Sequence, residues 1–487
     1  MKKRTLALVL ALALMVSMLA GCGDSNSSST ASSKTDNSGT TSTSSAESTA
    51  STAVSGEKVS LNVVTSYGGD DGNRKNYESA YKAWEEKTGN EVKDSSGTAN
   101  EDWKVRVMNS FEVGSEPDVL FFFNGADANN LVKNGKVVSI DTIREKYPDY
   151  ASNMKDDLMG ASPVDGKNYS VPVNGYWESM FVNTKVTSEC GVTVPTEGYT
   201  YEQFLKDCQT IADKGYTPIA ASLHEMPNYW FEFLCYNYSD PVHFNTMPES
   251  STDEAGQVWV NGLTDLKDLF EKGYFPKNTN STTDPDTNNL FAQNKAAFMI
   301  DGSWKVGWYE QNMMEDLDGD GKADIENVDV VFPPVKGDTR KSTDYIGGIS
   351  MGYYITKKAW DDPAKQAACV DFVSAMTSDE VVSTFCEAGN VTAMKNPVTP
   401  AADASALVKK VNEMNAKVTG ISPAVEDLMD NKAVRTPFFS EVKNMVTGQK
   451  DIAEAVDEVA QKQKDFLSKT VESSAESTYS AASSAAE

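Results

Sequence analysis

The chain has 487 residues, of which 39% are hydrophobic and 9% aromatic, enough to build the cores of two domains. A formal charge of −27 argues against nucleic-acid binding, because phosphates would be repelled. Two histidines leave little material for zinc sites or imidazole acid–base chemistry.

The N-terminal "MKKRTLALVLALALMVSMLAGC" has a basic start, a short apolar run and small residues before a cysteine. This is the pattern of an export signal over residues 1–21, too short and wrongly flanked for a membrane span. Leu19-Ala20-Gly21-Cys22 resembles a bacterial lipobox, which makes Cys22 the lipidated N-terminus of the mature chain. Residues 22–57 then form a Ser/Thr-rich stretch that cannot offset its ordering entropy by burial, and so reads as a flexible tether.

"VSLNVV" alternates Val59, Leu61 and Val63 on one face and predicts a strand. A Gly-rich turn carrying Tyr67, Asp70 and Asp71 follows, then a helix with Tyr77, Ala80, Tyr81 and Trp84 on one side. "PDVLFFF" predicts a buried strand, followed by Asn124 and Asp127. Tyr201, Phe204, Leu205, Cys208, Ile211 and Ala212 form a second helical stripe, and Ile452, Ala455, Val456, Val459 and Phe466 a late one. Residues 471–487 are biased to Ser and Ala and read as a disordered tail. Strands alternating with helices predict an α/β architecture with mostly parallel sheets, whose ligands bind beyond the carboxyl ends of strands. The loops after Val64 and Phe123 therefore lie on the candidate ligand surface, with Tyr67, Asp70, Asp71, Asn124 and Asp127 as polar partners. The five cysteines after Cys22 lack CxxC spacing, and most read as small buried hydrophobes, with one disulfide pair left open.

Three segments in this order carry a family resemblance. They are "GKNYSVPVNGYWESMFVNTKV" with "GVTVPTEGYTYEQF", then "NNLFAQNKAAFMIDGSW", then "YIGGISMGYYITKKAW" with its following helices. Together they resemble the extracellular solute-binding proteins of bacterial ABC importers, in the group that includes maltodextrin-binding protein. Asn294 stands where that family usually has glycine, and Thr392-Ala393 replace a usual proline. The resemblance implies a two-lobe periplasmic-binding-protein fold with the ligand cleft between the lobes. On this mapping lobe one takes roughly residues 58–173 and 334–388, and lobe two roughly 174–333 and 389–470. It also implies a non-enzymatic, monomeric receptor that captures a mono- or oligosaccharide, closes, and docks on the permease subunits, held to the outer face of the membrane by its lipid.

A sugar offers apolar C–H faces to aromatic rings and hydroxyls to polar side chains. The resemblance places Trp304 of "DGSW" at a stacking position, and Tyr176 and Trp177 in the cleft wall. One of those two must face the core, since neighbours on a strand point opposite ways. Tyr229 and Trp230 of "PNYWFEF" are further cleft aromatics by resemblance, or core residues, and Arg435 and Phe439 fall in a late ligand-contacting segment. Gly347 and Gly348 permit close backbone approach near the cleft.

"GISMG" at Gly348–Gly352 fits a hydrolase nucleophile elbow in letters only. It runs into the strand "YYIT", and both His224 and His243 precede it. A glycoside hydrolase, with paired carboxylates among cleft aromatics, and a carbohydrate-adhesion protein are the alternative readings.

"DLDGDGKADIEN" has calcium-loop spacing: Asp316, Asp318, Asp320, the Lys322 carbonyl and Asp324 at positions 1, 3, 5, 7 and 9. Position 12 is Asn327 instead of glutamate, and "NVDVVFPP" after it reads as a strand, so no exiting helix can swing. The expectation is a structural calcium ion that pins a loop.

Overall fold

The period-two patterns of the sequence become two sheets, and each sheet contains one strand that runs against the rest. A computed structural model describes residues 58–69, 71–316, 319, 321, 323–386, 390–396, 398 and 404–484. The export signal, Cys22, the tether, Asp70, Asp318, Asp320 and Lys322 lie outside the described residues.

The first sheet has the order β2-β1-β3-β9, formed by β1 (Ser60–Val64), β2 (Glu91–Asp94), β3 (Val119–Phe123) and β9 (Met351–Ile355). β2, β1 and β3 are parallel, and β9 is antiparallel to β3. Alternation sends Leu61, Val63, Val119, Phe121, Tyr353 and Ile355 to one core. Leu120, Phe122 and Tyr354 go to the other face, against Trp103 and Phe111. The predicted helix forms at Arg74–Thr88, with Tyr77 and Trp84 buried and Gly89 closing it at φ 75°.

The second sheet has the order β10-β8-β4-β6-β5, with β7 also paired to β4. Its strands are β4 (Tyr176–Asn183), β5 (Thr217–Ile219), β6 (Ala296–Gly302), β7 (Val328–Val331), β8 (Asp344–Gly348) and β10 (Gly420–Ser422). β4 is antiparallel to β6, β7 and β8, while β5 follows β6 and β10 follows β8 in parallel. Thus every strand but β4 points the same way. The reversed strands, β4 and β9, are the ones by which the chain enters each lobe from the other.

This corrects the lobe boundaries. "YIGGISMGYYIT" reads as one segment but divides between the sheets, with β8 in the second, β9 in the first, and Ile349-Ser350 as the link. Residues 334–348 therefore belong to lobe two. Met394 bridges Met154 and packs with Ala393 in the lobe-one core, whereas Leu407 packs in lobe two, so residues 390–398 belong to lobe one. Sequence patterning cannot place these crossings, because an apolar strand is equally at home in either sheet.

The last helix, Ile452–Ser484, continues through most of the stretch whose composition suggests a disordered tail. Ala455, Val456 and Val459 anchor its start in the lobe-two core, and a nucleated helix propagates cheaply through Ala- and Glu-containing sequence. The five described cysteines are buried and unpaired, as their spacing suggests.

Candidate functional site

β6 ends in Gly302, and Trp304 opens the helix Trp304–Asn312 directly after it. A Cβ on Gly302 would stand 2.1 Å from the Trp304 indole, so glycine is what lets the ring fold back over the strand end. Tyr176, at the start of β4, and Tyr229, on the helix Asn228–Tyr236, bring their rings within 6.4 and 6.1 Å of the Trp304 ring centroid. These three form the aromatic part of the site. The Gly348 Cα hydrogen points at open space beside the Tyr176 ring, where a Cβ would meet nothing closer than 3.9 Å.

Around the aromatics stand carboxylates that the sequence reading passed over. Glu178 on β4 sits opposite Gly302, and Asp301 is next along β6. Glu232 lies one turn along the helix from Asn228, and Glu426 and Asp427 occupy the turn Val425–Leu428. The Glu426 amide donates to Glu232 Oε1 at 2.9 Å, and Asn228 Nδ2 donates to Glu426 Oε1 at 3.3 Å. The Tyr176 hydroxyl donates to Asp427 Oδ2 at 3.4 Å and accepts from the Ala424 amide at 3.1 Å. Lys305 Nζ stands 3.4 Å from both Asp301 and Asp284, and donates to Asn288 at 2.8 Å. A signal for them existed: "YWESMF", "YWFEFL" and "FMIDGSW" each set one acid in an otherwise apolar run, where a charge is costly without a purpose.

Burial pushes these carboxyls up, and their mutual repulsion pushes them further. Glu178 and Glu232 are held well above the ordinary range, first by burial and then by Glu426 and other acids nearby. Burial, opposed by Lys305, brings Asp301 to about 6. Asp427 reaches about 7 through burial and the neighbouring Glu426. Among the described residues no three acidic, His or Cys side chains converge to hold a metal ion.

The two lobes meet across a second charged cluster. Arg435, 1% exposed, donates through one terminal nitrogen to both oxygens of Asp127, at 2.9 and 3.0 Å. Lys104 stands 3.3 Å from Asp127 and 3.2 Å from Glu101, and lies over the Phe123 ring. Burial alone would raise the Asp127 carboxyl, but Arg435 and Lys104 outweigh it and hold it below its usual value. On the opposite side Gly72 of lobe one abuts the helix from Trp304, and its carbonyl accepts from Gln311 Nε2 at 2.9 Å. A Cβ on Gly307 would lie 2.8 Å from Gly72, so this close approach requires glycine.

Several residues expected in the cleft are placed elsewhere. Trp177 is fully buried against Phe181, because strand alternation turns Tyr176 outward and Trp177 inward. Trp230 is buried between Phe204 and Phe275, on the core face of the helix that presents Tyr229. Tyr67 stacks on Phe121 at 4.8 Å in the lobe-one core, its hydroxyl reaching Asn174 at 3.4 Å. Phe439 packs on Phe231 and Phe438 in lobe two. Asp71 turns inward to its own chain and accepts from the Asn73 amide. Asn124 donates to the Ile349 carbonyl at the crossover. Asp127 and Arg435 do lie where the lobes meet, but they pair with each other.

In the acidic loop, Asp316 accepts from the Gly319 amide at 2.7 Å and from the Gly321 amide at 2.8 Å. Gly319 and Gly321 have φ of 78° and 89°, and Asp324 is buried at the head of the turn Asp324–Asn327. β7 follows directly, as the sequence suggests.

The family model for bacterial extracellular solute-binding proteins matches residues 79–416. The fold is that of solved sugar-binding proteins. A chitin oligosaccharide binding protein superposes with a TM-score of 0.70 at 23% identity, over 84% of this chain and 99% of the other. An ABC substrate-binding protein from Listeria monocytogenes in complex with cycloalternan gives 0.64 at 17%, over 85% and 100%. The maltose/maltodextrin-binding domain MalE from Bdellovibrio bacteriovorus bound to maltotriose gives 0.63 at 17%, over 84% and 100%. A search of curated protein sequences returns no match.

Proposed function

The chain belongs to the bacterial extracellular solute-binding proteins, and from that premise we propose that it captures a mono- or oligosaccharide between its lobes and delivers it to the permease of an ABC importer. The observation that carries this reading is the cluster of Trp304, Tyr176 and Tyr229 beside buried Glu178 and Glu232 and half-buried Asp427 at the inter-lobe face. Rings offer the flat apolar surface a pyranose face needs, and carboxylates accept from its hydroxyls. The structural neighbours, a chitin oligosaccharide binding protein and receptors in complex with cycloalternan and bound to maltotriose, support the same ligand class. Ligand bound between the lobes stabilises the closed form, which is the form that docks.

A thermal-shift screen against a sugar panel tests the reading, because a ligand that binds only the folded state raises the melting temperature. Trp304→Ala is expected to weaken the best sugar roughly thirtyfold, the scale of a central aromatic anchor at about 2 kcal/mol. Unchanged affinity would remove Trp304 from the site. The protein is read as a receptor and not a hydrolase. Release of reducing ends from a bound oligosaccharide would reverse that.

Two further parts belong to this reading. Lipidation at Cys22 would keep the receptor on the outer face of the membrane and raise its concentration at the permease. The loop from Asp316 would hold a calcium ion through its carboxylates and the Lys322 carbonyl, supported by the inward-drawn Asp316 and the buried Asp324. Chelation is then expected to lower the melting temperature while sugar affinity stays within about twofold. A loss of affinity larger than the loss of stability would place the ion in the cleft.

A further inference from the structure

Charge in the cleft does not balance. Lys305 answers Asp301 and Asp284, while Arg435 and Lys104 answer Asp127 and Glu101. Glu178, Glu232, Glu426 and Asp427 have no cation within ion-pair distance among the described residues, and they lie beside the Tyr176, Tyr229 and Trp304 rings. Two of the four also keep one carboxylate oxygen without a hydrogen-bond partner. Glu178 is 3% exposed and Glu232 0%, and Oε2 of each is buried without a partner. An unpaired buried carboxylate costs several kcal/mol, so a site keeping Glu178 and Glu232 buried beside two further acids is built for something that repays the cost. Among the described residues no three acidic side chains converge closely enough to hold a metal ion. The acids stand beside an aromatic platform, so the compensating charge belongs on a ligand that also stacks on the rings.

We propose that the cleft selects an amine-bearing saccharide, a sugar of the glucosamine class whose ammonium group is held among Glu178, Glu232, Glu426 and Asp427, over a neutral sugar of the same shape. This rests on the saccharide reading of the same site and narrows it. The ring is held as any pyranose would be, by Trp304, Tyr176 and Tyr229. The ammonium supplies donors to Oε2 of Glu178 and Oε2 of Glu232, which have none. The raised carboxyls fit this assignment. Empty, the cluster relieves its repulsion by holding protons, and a neutral sugar must be bound with those protons retained. An ammonium replaces them.

The test compares three ligand series that differ only at one ring substituent: glucosamine, N-acetylglucosamine and glucose, each also as its β-1,4-linked tetrasaccharide. Calorimetry on the full protein at neutral pH is expected to show the amine form bound about tenfold or more tighter than the neutral forms, the difference between charge-assisted and neutral hydrogen bonds. In Glu178→Gln with Glu232→Gln the preference for the amine over the neutral forms is expected to shrink toward parity, whatever the change in overall affinity. A cooperative thermal transition in the variant reports a folded protein. Tighter binding of N-acetylated or hydroxyl forms overturns the amine assignment and leaves the saccharide reading standing. Failure of every amine ligand, with a shift from some other neutral sugar, does the same. No shift from these or from the wider sugar panel removes both.

Discussion

Arg435→Met is expected to weaken ligand binding about a hundredfold or more. Arg435 and Asp127 come from different lobes and are 1% and 5% exposed at their side chains, so the pair ties the lobes together in this arrangement. Removing one partner of a buried ion pair leaves an uncompensated charge, which costs about 3–5 kcal/mol. Here the cost falls on closure, because both groups regain water when the lobes part. A ligand that binds the closed form loses apparent affinity in proportion to the population of that form, and each 1.4 kcal/mol is tenfold. Asp127→Asn is expected to do much the same by stranding Arg435 and Lys104. The combined variant should recover part of the loss, because neither charge is then left alone. Small-angle scattering checks the geometry: the single variants should stay extended at ligand concentrations that close the wild type. Affinity within threefold of wild type in both singles would mean that the pair does not hold the lobes together.

The unliganded protein is expected to melt highest near about pH 5 and to lose stability as the pH rises to 8. Asp427 is raised to about 7 and Asp301 to about 6, while Glu178, Glu232 and Glu426 are raised in the same direction. A carboxyl whose pKa is higher folded than unfolded binds more protons in the folded state between the two values. Stability therefore falls as pH rises through that window, by about 1.4 kcal/mol per unit of difference for each group. The exposed His243, raised by Asp240, acts with the same sign. Asp127, Asp156, Asp253 and Asp379 are lowered, so their contribution is lost only as pH falls below the ordinary carboxylate range, which sets the acid side of the optimum. Glu178→Gln with Glu232→Gln should flatten the neutral side of the profile by removing two of the groups that lose protons there. A melting temperature that rises from pH 5 to 8 would contradict the assignment.

Both effects rest on residues whose importance was unevenly legible. The strand at Ser60–Val64, the helix at Arg74–Thr88, the helix at Tyr201–Asp213 and the late helix from Ile452 were readable from periodicity, because one buried face imposes its spacing on the letters. Trp304 is expected at the ligand from "DGSW", and its ring folded over Gly302 explains why the motif needs a glycine.

Local pattern carried less about the site itself. Tyr176 and Trp177 are equally aromatic in the sequence, and only the register of β4 against β6 and β8 sends one outward and the other into the core. Tyr229 and Trp230 are both buried in the lobe-two core, and only the packing of their helix brings the Tyr229 ring to Trp304 and the Trp230 ring to Phe204 and Phe275.

What the amino-acid order determined alone was the class of the molecule: an acidic α/β chain with three ordered solute-binding segments and a surface of loops beyond strand ends. Those features are local, set by hydrophobic spacing, glycine turns and composition. What tertiary structure decided was every relation between distant residues. It put β8 and β9 in different sheets, paired Arg435 with Asp127 across 308 positions, and gathered Glu178, Glu232 and Glu426 from three separate segments. A carboxylate's energy depends on the water it loses and the charges it meets, and neither is written in its neighbours along the chain.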